Sequence, residues 1–284
     1  MSSPMSERID LRGRTVLITG AARGIGAGVA REVARRGARP ALVGIELATM
    51  QAVADEIEKS HGVDTFVAEA DVRDRAALAA AVEGTVAKLG GIDVVVANAG
   101  IETAQSVENH DPQAFEDVIA INLIGVFNTL QATIPHVKAR RGHLLPLASL
   151  AAAAHAPSMS AYAASKAGCE ALANVARIEL AGSGVSVGCG YFSFLDTDMV
   201  TNAFDRPIGD AMRSKFPGPM QKIYPLAPAV KEIVDGIEER GRVVAYPHWV
   251  RAILRTRGFS QQLTEKTIGT RAAEAIAEVE GQSS

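Results

Sequence analysis

Cysteine is scarce in this chain of 284 residues: Cys169 and Cys189 stand twenty residues apart with no second pair. That count excludes a disulfide framework and a four-ligand zinc site, and no metal-ligating residues are expected. Both thiols are expected to be small buried residues in a reducing compartment. An excess of one charge sign is also missing. The formal net charge of −3 gives no basis for bulk nucleic-acid binding. Long apolar runs are lacking too. The longest, Leu144 to Ala156, is interrupted by Pro146, Ser149 and His155 and is too short to span a bilayer. The first fourteen residues hold no apolar stretch of signal-peptide type. The expectation is a cytoplasmic protein with no integral membrane association.

What is present is enough apolar material, 48% of residues, for a large core, and no composition shift divides the chain. Short β-branched or apolar runs at Thr15–Thr19, Ala41–Ile45, Thr65–Ala68, Val94–Ala97, His143–Ala148, Val185–Cys189 and Val243–Tyr246 read as strands. Amphipathic stretches near 24–37, 48–60, 74–89, 113–139, 160–181 and 228–240 read as helices between them. Such alternation predicts an α/β fold: a Rossmann-type, doubly wound parallel sheet of about seven strands with helices on both faces. Ligands then lie at the carboxyl ends of the strands. Residues 1–284 are expected to form one domain, with a Rossmann-type core over 11–246. Within that core, the irregular segment 193–226, rich in Pro, Phe, Met and Gly, suits a substrate loop or lid. Residues 247–284 are a C-terminal extension with a basic, aromatic start and a helix near 262–279, suited to packing on the core or on another subunit ahead of contact with a lipid surface. Pro146 misfits a central strand, where it removes a ladder donor, so a bulge or irregular strand is expected there.

Two groups of residues carry chemistry. In the first, TGAARGIG (Thr19 to Gly26) follows the first strand and opens the first helix. Gly20, Gly24 and Gly26 allow a tight turn and close approach of backbone to a pyrophosphate, and the helix amino terminus offers free N–H groups to the anion. A glycine-rich turn without a ligand is the competing reading. Asp71, beside Val72 at the end of strand three, can accept from an adenine amino group or cap a helix. Asn98-Ala99-Gly100 ends strand four, where small residues let the chain pass beneath a ribose, or simply turn.

In the second group, Tyr162 and Lys166 of YAASK are spaced i, i+4 and share one helix face. An ammonium beside a phenol favours the phenolate, which suits a general acid for carbonyl reduction and a general base for alcohol oxidation. Ser149, thirteen residues before Tyr162, can donate to a substrate oxygen as charge develops on it. Any i, i+4 Tyr/Lys pair can also be a solvated helix face; co-occurrence with Ser149 and the glycine turn argues for chemistry. Asn122 is an amide inside a long apolar helix and needs partners there, a neighbouring carbonyl or a water that relays protons to Lys166. His155 is placed between Ser149 and Tyr162, where it can line a pocket or simply pack.

These residues, in this order, resemble the short-chain dehydrogenase/reductase family from about Leu11 to Tyr246: TGAARGIG, Asp71-Val72, ANAG, Asn122, Ser149 and YAASK. The resemblance implies a Rossmann fold, NAD(H) or NADP(H) as cofactor, pro-S hydride transfer, and a homo-oligomer, usually a tetramer built through helices matching 113–139 and 160–181. It implies a catalytic tetrad of Asn122, Ser149, Tyr162 and Lys166, with Lys166 also holding the nicotinamide ribose hydroxyls. Cofactor contacts then extend over Arg23, Ile25 and the turn glycines, with the nicotinamide carboxamide at Leu195 and Thr197. The chain departs from the pattern in places. The family's NNAG reads Ala97-Asn98-Ala99-Gly100, and the usual Pro-Gly after strand six reads Phe192-Ser193. The Asp that selects NAD would fall at Gly44, and the Arg frequent in NADP users would fall at Ile45. Arg23 can meet a 2′-phosphate, whereas Glu46 can bond to a ribose diol and repel that phosphate, which tilts the expectation to NAD(H).

The implied activity is hydride transfer between nicotinamide and a secondary alcohol or ketone, a bulky apolar one by the character of 193–226, with Tyr162 handling the proton. A non-catalytic dinucleotide-binding regulator or scaffold is the alternative from another class, and a dehydratase or epimerase the alternative among enzymes.

Overall fold

The computed structural model describes residues 8–205 and 218–259, together with 261, 262, 265, 274, 276, 278 and 279. Part of the 193–226 segment and most of the helix expected near 262–279 lie outside the described residues.

Strand β1 (Thr15–Thr19) is fully buried along its length, as a central parallel strand covered on both faces must be. With β2 (Arg39–Gly44), β3 (Phe66–Glu69), β4 (Val94–Ala97), β5 (His143–Pro146) and β6 (Ser186–Val187) it forms a parallel sheet ordered β3-β2-β1-β4-β5-β6. Strand β7 (Cys189–Phe192) pairs in parallel with β8 (Val243–Tyr246), and a bridge from Leu147 to Gly190 joins this pair to β5. With β6 and β7 taken as one interrupted strand, the layer is the expected seven strands wide.

The interruption sits opposite Pro146. His143 and Leu147 donate their N–H groups toward β4, to Asp93 and Ala97. By alternation, the nitrogen of Pro146 points the other way, toward the break at Gly188, and has no hydrogen to give. The irregularity expected at the proline thus falls on the neighbouring strand, and β5 itself stays regular and stops at Pro146 rather than Ala148.

Helices α1 (Gly24–Arg35), α2 (Leu47–His61) and α8 (Leu226–Glu238) cover one face of the sheet. Helices α3 (Arg75–Leu89), α5 (Gly125–Arg140) and α6 (Ser160–Glu179) cover the other. Local chemistry sets their ends. Asp74 caps α3 by accepting from Ala76 N at 2.8 Å and Ala77 N at 3.0 Å. Gly62 (φ 65°) and Gly90 (φ 77°) close α2 and α3 in the left-handed conformation.

The helix expected over 113–139 is not uniform. A helix α4 (Pro112–Ile119) passes through a π-helical turn, Ala120–Ile124, into α5. By length and composition the run Pro112–Arg140 could cross a membrane. Here it lies on the protein, against α3, α6 and β4. After β7 come a short helix α7 (Asp198–Phe204) and, after β8, α9 (Val250–Arg255), whose Val250 is buried in the core. The indole of Trp249 donates to Tyr224 Oη at 3.0 Å, tying the extension to the returning end of the 193–226 segment.

Candidate active site

The carboxyl ends of β1, β4 and β5 meet where the strand order reverses, the position at which open α/β sheets bind ligands. Glycine is required there. Gly20 (φ 65°) lies so close to strand four's end that a Cβ would sit 2.9 Å from Ala99 Cα, and at Gly26 a Cβ would sit 2.2 Å from the Gly20 carbonyl. Asn98 locks the two loops together: its Nδ2 donates to Thr19 O (2.9 Å) and Gly20 O (3.1 Å), while Thr19 Oγ1 accepts from Asn98 N (3.0 Å) and Ala99 N (3.2 Å). Helix α1 has no side-chain cap and no acidic residue in its first turn, so its leading N–H groups and positive dipole end face the cleft beside Gly24 and Ile25.

That cleft, about 1100 Å³, runs from the glycine turn past Glu46 and Asp71 to Gly100 and Thr197. Its charged groups are already paired with one another. Arg23 is bonded to Glu46 and lies 3.5 Å from Asp198. Asp71 lies two residues beyond the end of β3 rather than on it, and Arg73 donates to it from Nε and from Nη2 (2.7 Å). The Arg73 guanidinium holds the Asp71 carboxyl below the usual carboxylate range, against the upward push of burial. Helix capping, the other reading of Asp71, falls to Asp74. Val72 is buried, and its carbonyl accepts from Asn128 Nδ2 at 2.9 Å.

A second cleft, about 1070 Å³, adjoins the first, and Ile25, Asn98, Gly100, Thr197 and Met199 line both. Ser149, Tyr162 and Lys166 face it, with Leu195 in its wall. Ser149 follows β5; its hydroxyl accepts from Ala151 N (3.2 Å) and reaches Phe192 O at 3.4 Å. On α6, Lys166 is buried, donates to Leu147 O at 2.8 Å, and holds its Nζ 5.6 Å from the centroid of the Tyr162 ring. The rest of the lining is largely apolar: Leu150, Met159, Phe192, Phe194, Val200 and Met220 contribute. Exposed His155 does not line it.

Asn122 sits in the π turn, fully buried. Its Oδ1 accepts from Ile101 N (2.8 Å), and its Nδ2 donates to Ile101 O (2.8 Å) and Ser165 Oγ (3.1 Å). The bond to a neighbouring carbonyl, one of the roles open to it, is present as a backbone tether. It fixes the backbone just after Gly100; a Cβ on Gly100 would lie 3.1 Å from Asn122 Oδ1 and 3.6 Å from Lys166 Nζ. Sequence reasoning missed several partners: Ser165, inside YAASK; Thr19, the first residue of the glycine motif; and Arg73, whose spacing of two from Asp71 was the available signal.

The model of the short chain dehydrogenase family matches residues 14–207. The chain belongs to that family. An uncharacterised oxidoreductase of Myxococcus xanthus (strain DK1622) is 36% identical over 196 residues, which cover 68% of this chain and 77% of that protein. The 3-oxoacyl-(acyl-carrier-protein) reductase FabG of Staphylococcus aureus (strain Mu50 / ATCC 700699) is 34% identical over 206 residues, covering 72% and 83%. Among solved structures, levodione reductase superposes with a TM-score of 0.78 at 26% identity, covering 85% of this chain and 99% of that one. A Brucella melitensis 3-ketoacyl-(acyl-carrier-protein) reductase complexed with NADH gives 0.74 at 26% identity, covering 83% and 97%. This short-chain dehydrogenase is accordingly an NAD(P)-dependent oxidoreductase with a Rossmann-type fold. The scaffold alternative finds no support among these relatives.

Proposed function

We propose that this short-chain dehydrogenase interconverts a bulky, apolar secondary alcohol and its ketone, with Tyr162 as general acid and base and NAD(H) as the preferred cofactor. One observation carries the reading: a largely apolar cleft holds Tyr162, Ser149 and Lys166 on one side and shares a wall with the cleft beneath the glycine turn.

The residues of the first cleft fit a dinucleotide. Gly20 and Gly26 keep the backbone clear of side chains, the uncapped amino terminus of α1 suits a pyrophosphate, and Gly100 and Thr197, which line both clefts, with Leu195 of the second, would border the nicotinamide. When bound, nicotinamide supplies or accepts the hydride. The protein's own side chains do the rest. Tyr162 gives its phenolic proton to the carbonyl oxygen in reduction and takes the alcohol proton in oxidation. Ser149 donates a hydrogen bond to the same oxygen, whose charge grows along the reaction. Lys166 is buried with its ammonium beside the Tyr162 ring, and by resemblance to the family lysine it would also contact the ribose hydroxyls. Asn122 holds the Gly100–Ile101 backbone that borders both.

The preference for NAD(H) rests on charge. Two carboxylates, Glu46 and Asp198, flank Arg23, Arg73 is matched by Asp71, and Ile45 offers no charge, so a 2′-phosphate would meet net negative charge. Apolar residues exposed on α5 and α6 or beside them, Ile124, Phe127, Val175 and Ile178, fit burial against a second copy, in a dimer or tetramer. Turnover of an alcohol and ketone panel with NADH and NADPH tests the reading. Apolar cyclic or long-chain ketones are expected to turn over fastest, with kcat/KM higher for NADH. Selective turnover of small polar alcohols would overturn the substrate class, and a large NADPH preference would overturn the cofactor assignment.

A further inference from the structure

A third cleft, about 960 Å³, opens between the second half of α6, β7, the start of β8 and α9, and shares no residue with the two already described. Five arginines line it: Arg177, Arg242, Arg251, Arg255 and Arg257. Two are matched by carboxylates. Arg257 grips Glu170 with both prongs, at 2.8 and 2.7 Å, and Arg251 donates to Glu232 at 2.8 Å. The other three meet no carboxylate among the described residues. Arg177 donates to neutral oxygens, Val187 O at 2.7 Å and Asn174 Oδ1 at 2.6 Å. Arg242 and Arg255 have no side-chain partner among the described residues.

Three uncompensated guanidinium groups in one concavity repel one another. Arg177 registers this: burial and the neighbouring Arg242 both push its guanidinium below the ordinary arginine range. In a chain with net charge −3, the concentration is local rather than part of a generally basic surface. Glu170, Asn174 and Arg177 continue, at spacings of four and three, the helix stripe that begins with Tyr162 and Lys166. The sequence thus places both clefts on one face of α6.

We propose that this cleft binds a phosphate-bearing small molecule, with Arg177, Arg242 and Arg255 as its ligands. Guanidinium forks match phosphate oxygens two at a time, and three unmatched cations suit a group of charge −2 or more better than a single carboxylate. An extended nucleic acid fits less well, because Glu170 and Glu232 flank the arginines.

The test is calorimetric titration of the full chain, first saturated with its cofactor so that the dinucleotide cleft is filled. Inorganic phosphate, pyrophosphate and citrate are the probes. Pyrophosphate is expected to bind at one saturable site per chain, more tightly than citrate and more weakly as salt rises. The double variant Arg242→Gln, Arg255→Gln should lose at least about tenfold in pyrophosphate affinity while its cofactor affinity and melting temperature stay at wild-type values; Arg242→Lys, Arg255→Lys should recover part of the loss. No saturable pyrophosphate binding, binding unchanged in the double variant, or citrate binding tighter than pyrophosphate would each overturn the proposal.

Discussion

Replacing Asn122 with alanine tests the tether at the centre of the site. The side chain is fully buried and makes three hydrogen bonds, two of them to the N–H and C=O of Ile101. Alanine leaves both backbone groups without these partners. A buried polar group left unpaired costs about 1–3 kcal/mol, and Ile101, 36% exposed, can regain part of its bonding from water. Taking the lower end for each group and adding the small void gives a loss of about 2–3 kcal/mol. For a domain of this size that lowers Tm by roughly 3–5 °C. Activity should fall further than stability alone explains, at least about tenfold in kcat, because the freed Gly100–Ile101 backbone borders Lys166. Asn122→Asp keeps the acceptor toward Ile101 N but sets a buried carboxylate oxygen against Ile101 O, so it should not recover the Tm. Differential scanning calorimetry and steady-state kinetics on a substrate from the panel read both quantities. A wild-type Tm in Asn122→Ala would refute the tether. A lowered Tm with unchanged kcat would refute its place in the site.

Three more outcomes are expected. Tyr162→Phe should abolish turnover while leaving cofactor affinity within about twofold, and Lys166→Ala should damage both; fluorescence titration with NADH separates the cases, and wild-type turnover in Tyr162→Phe would remove the tyrosine from proton transfer. Gly26→Ala places a methyl 2.2 Å from Gly20 O and 2.9 Å from Ala21 Cα, backbone that cannot step aside, so it should cost about 1–3 kcal/mol and weaken NADH binding sharply. His143 is fully buried, and burial, with Arg240 and Arg177 close by, holds it down at about 3. Its folded pKa is depressed, so the unfolded chain binds the extra proton between pH 6.5 and about 3. The stability present above 6.5 is lost at about 1.4 kcal/mol per pH unit as pH falls through that window. His143→Gln should flatten this limb in urea melts taken across pH, and equal slopes in both proteins would contradict it.

The fold was readable because each parallel strand is short, apolar and followed by a stretch of helical period, a pattern visible in Thr15–Thr19 and in Val94–Ala97 without knowledge of their neighbours. The glycine turn and the Tyr162/Lys166 pair were readable for a similar reason: each is a local arrangement with fixed spacing. What escaped depends on distant contacts. Nothing in INLIG marks a π turn, which adds a residue to the helix to carry Asn122 toward Ile101, twenty-one residues earlier. Arg23 and Glu46 were weighed as separate cofactor contacts, but they bond to each other, because β1 and β2 are adjacent and bring their following loops together. The arginine cleft draws on α6, β7, β8 and α9, and no window of sequence spans those elements.

Pro146 also decides where the sheet can give way. The rung it cannot donate is missing at Gly188, just below the level at which the catalytic-cleft walls diverge, with Leu147 to Ser149 on one side and Phe192 to Leu195 on the other. Widening the cleft for a bulky guest therefore means spreading two strands along a seam that is already one bond short, while β1 and β4, which anchor the glycine turn, remain laddered to each other and to β2 and β5. The missing rung thus lies on the substrate side of the sheet, away from the strands that carry the glycine turn.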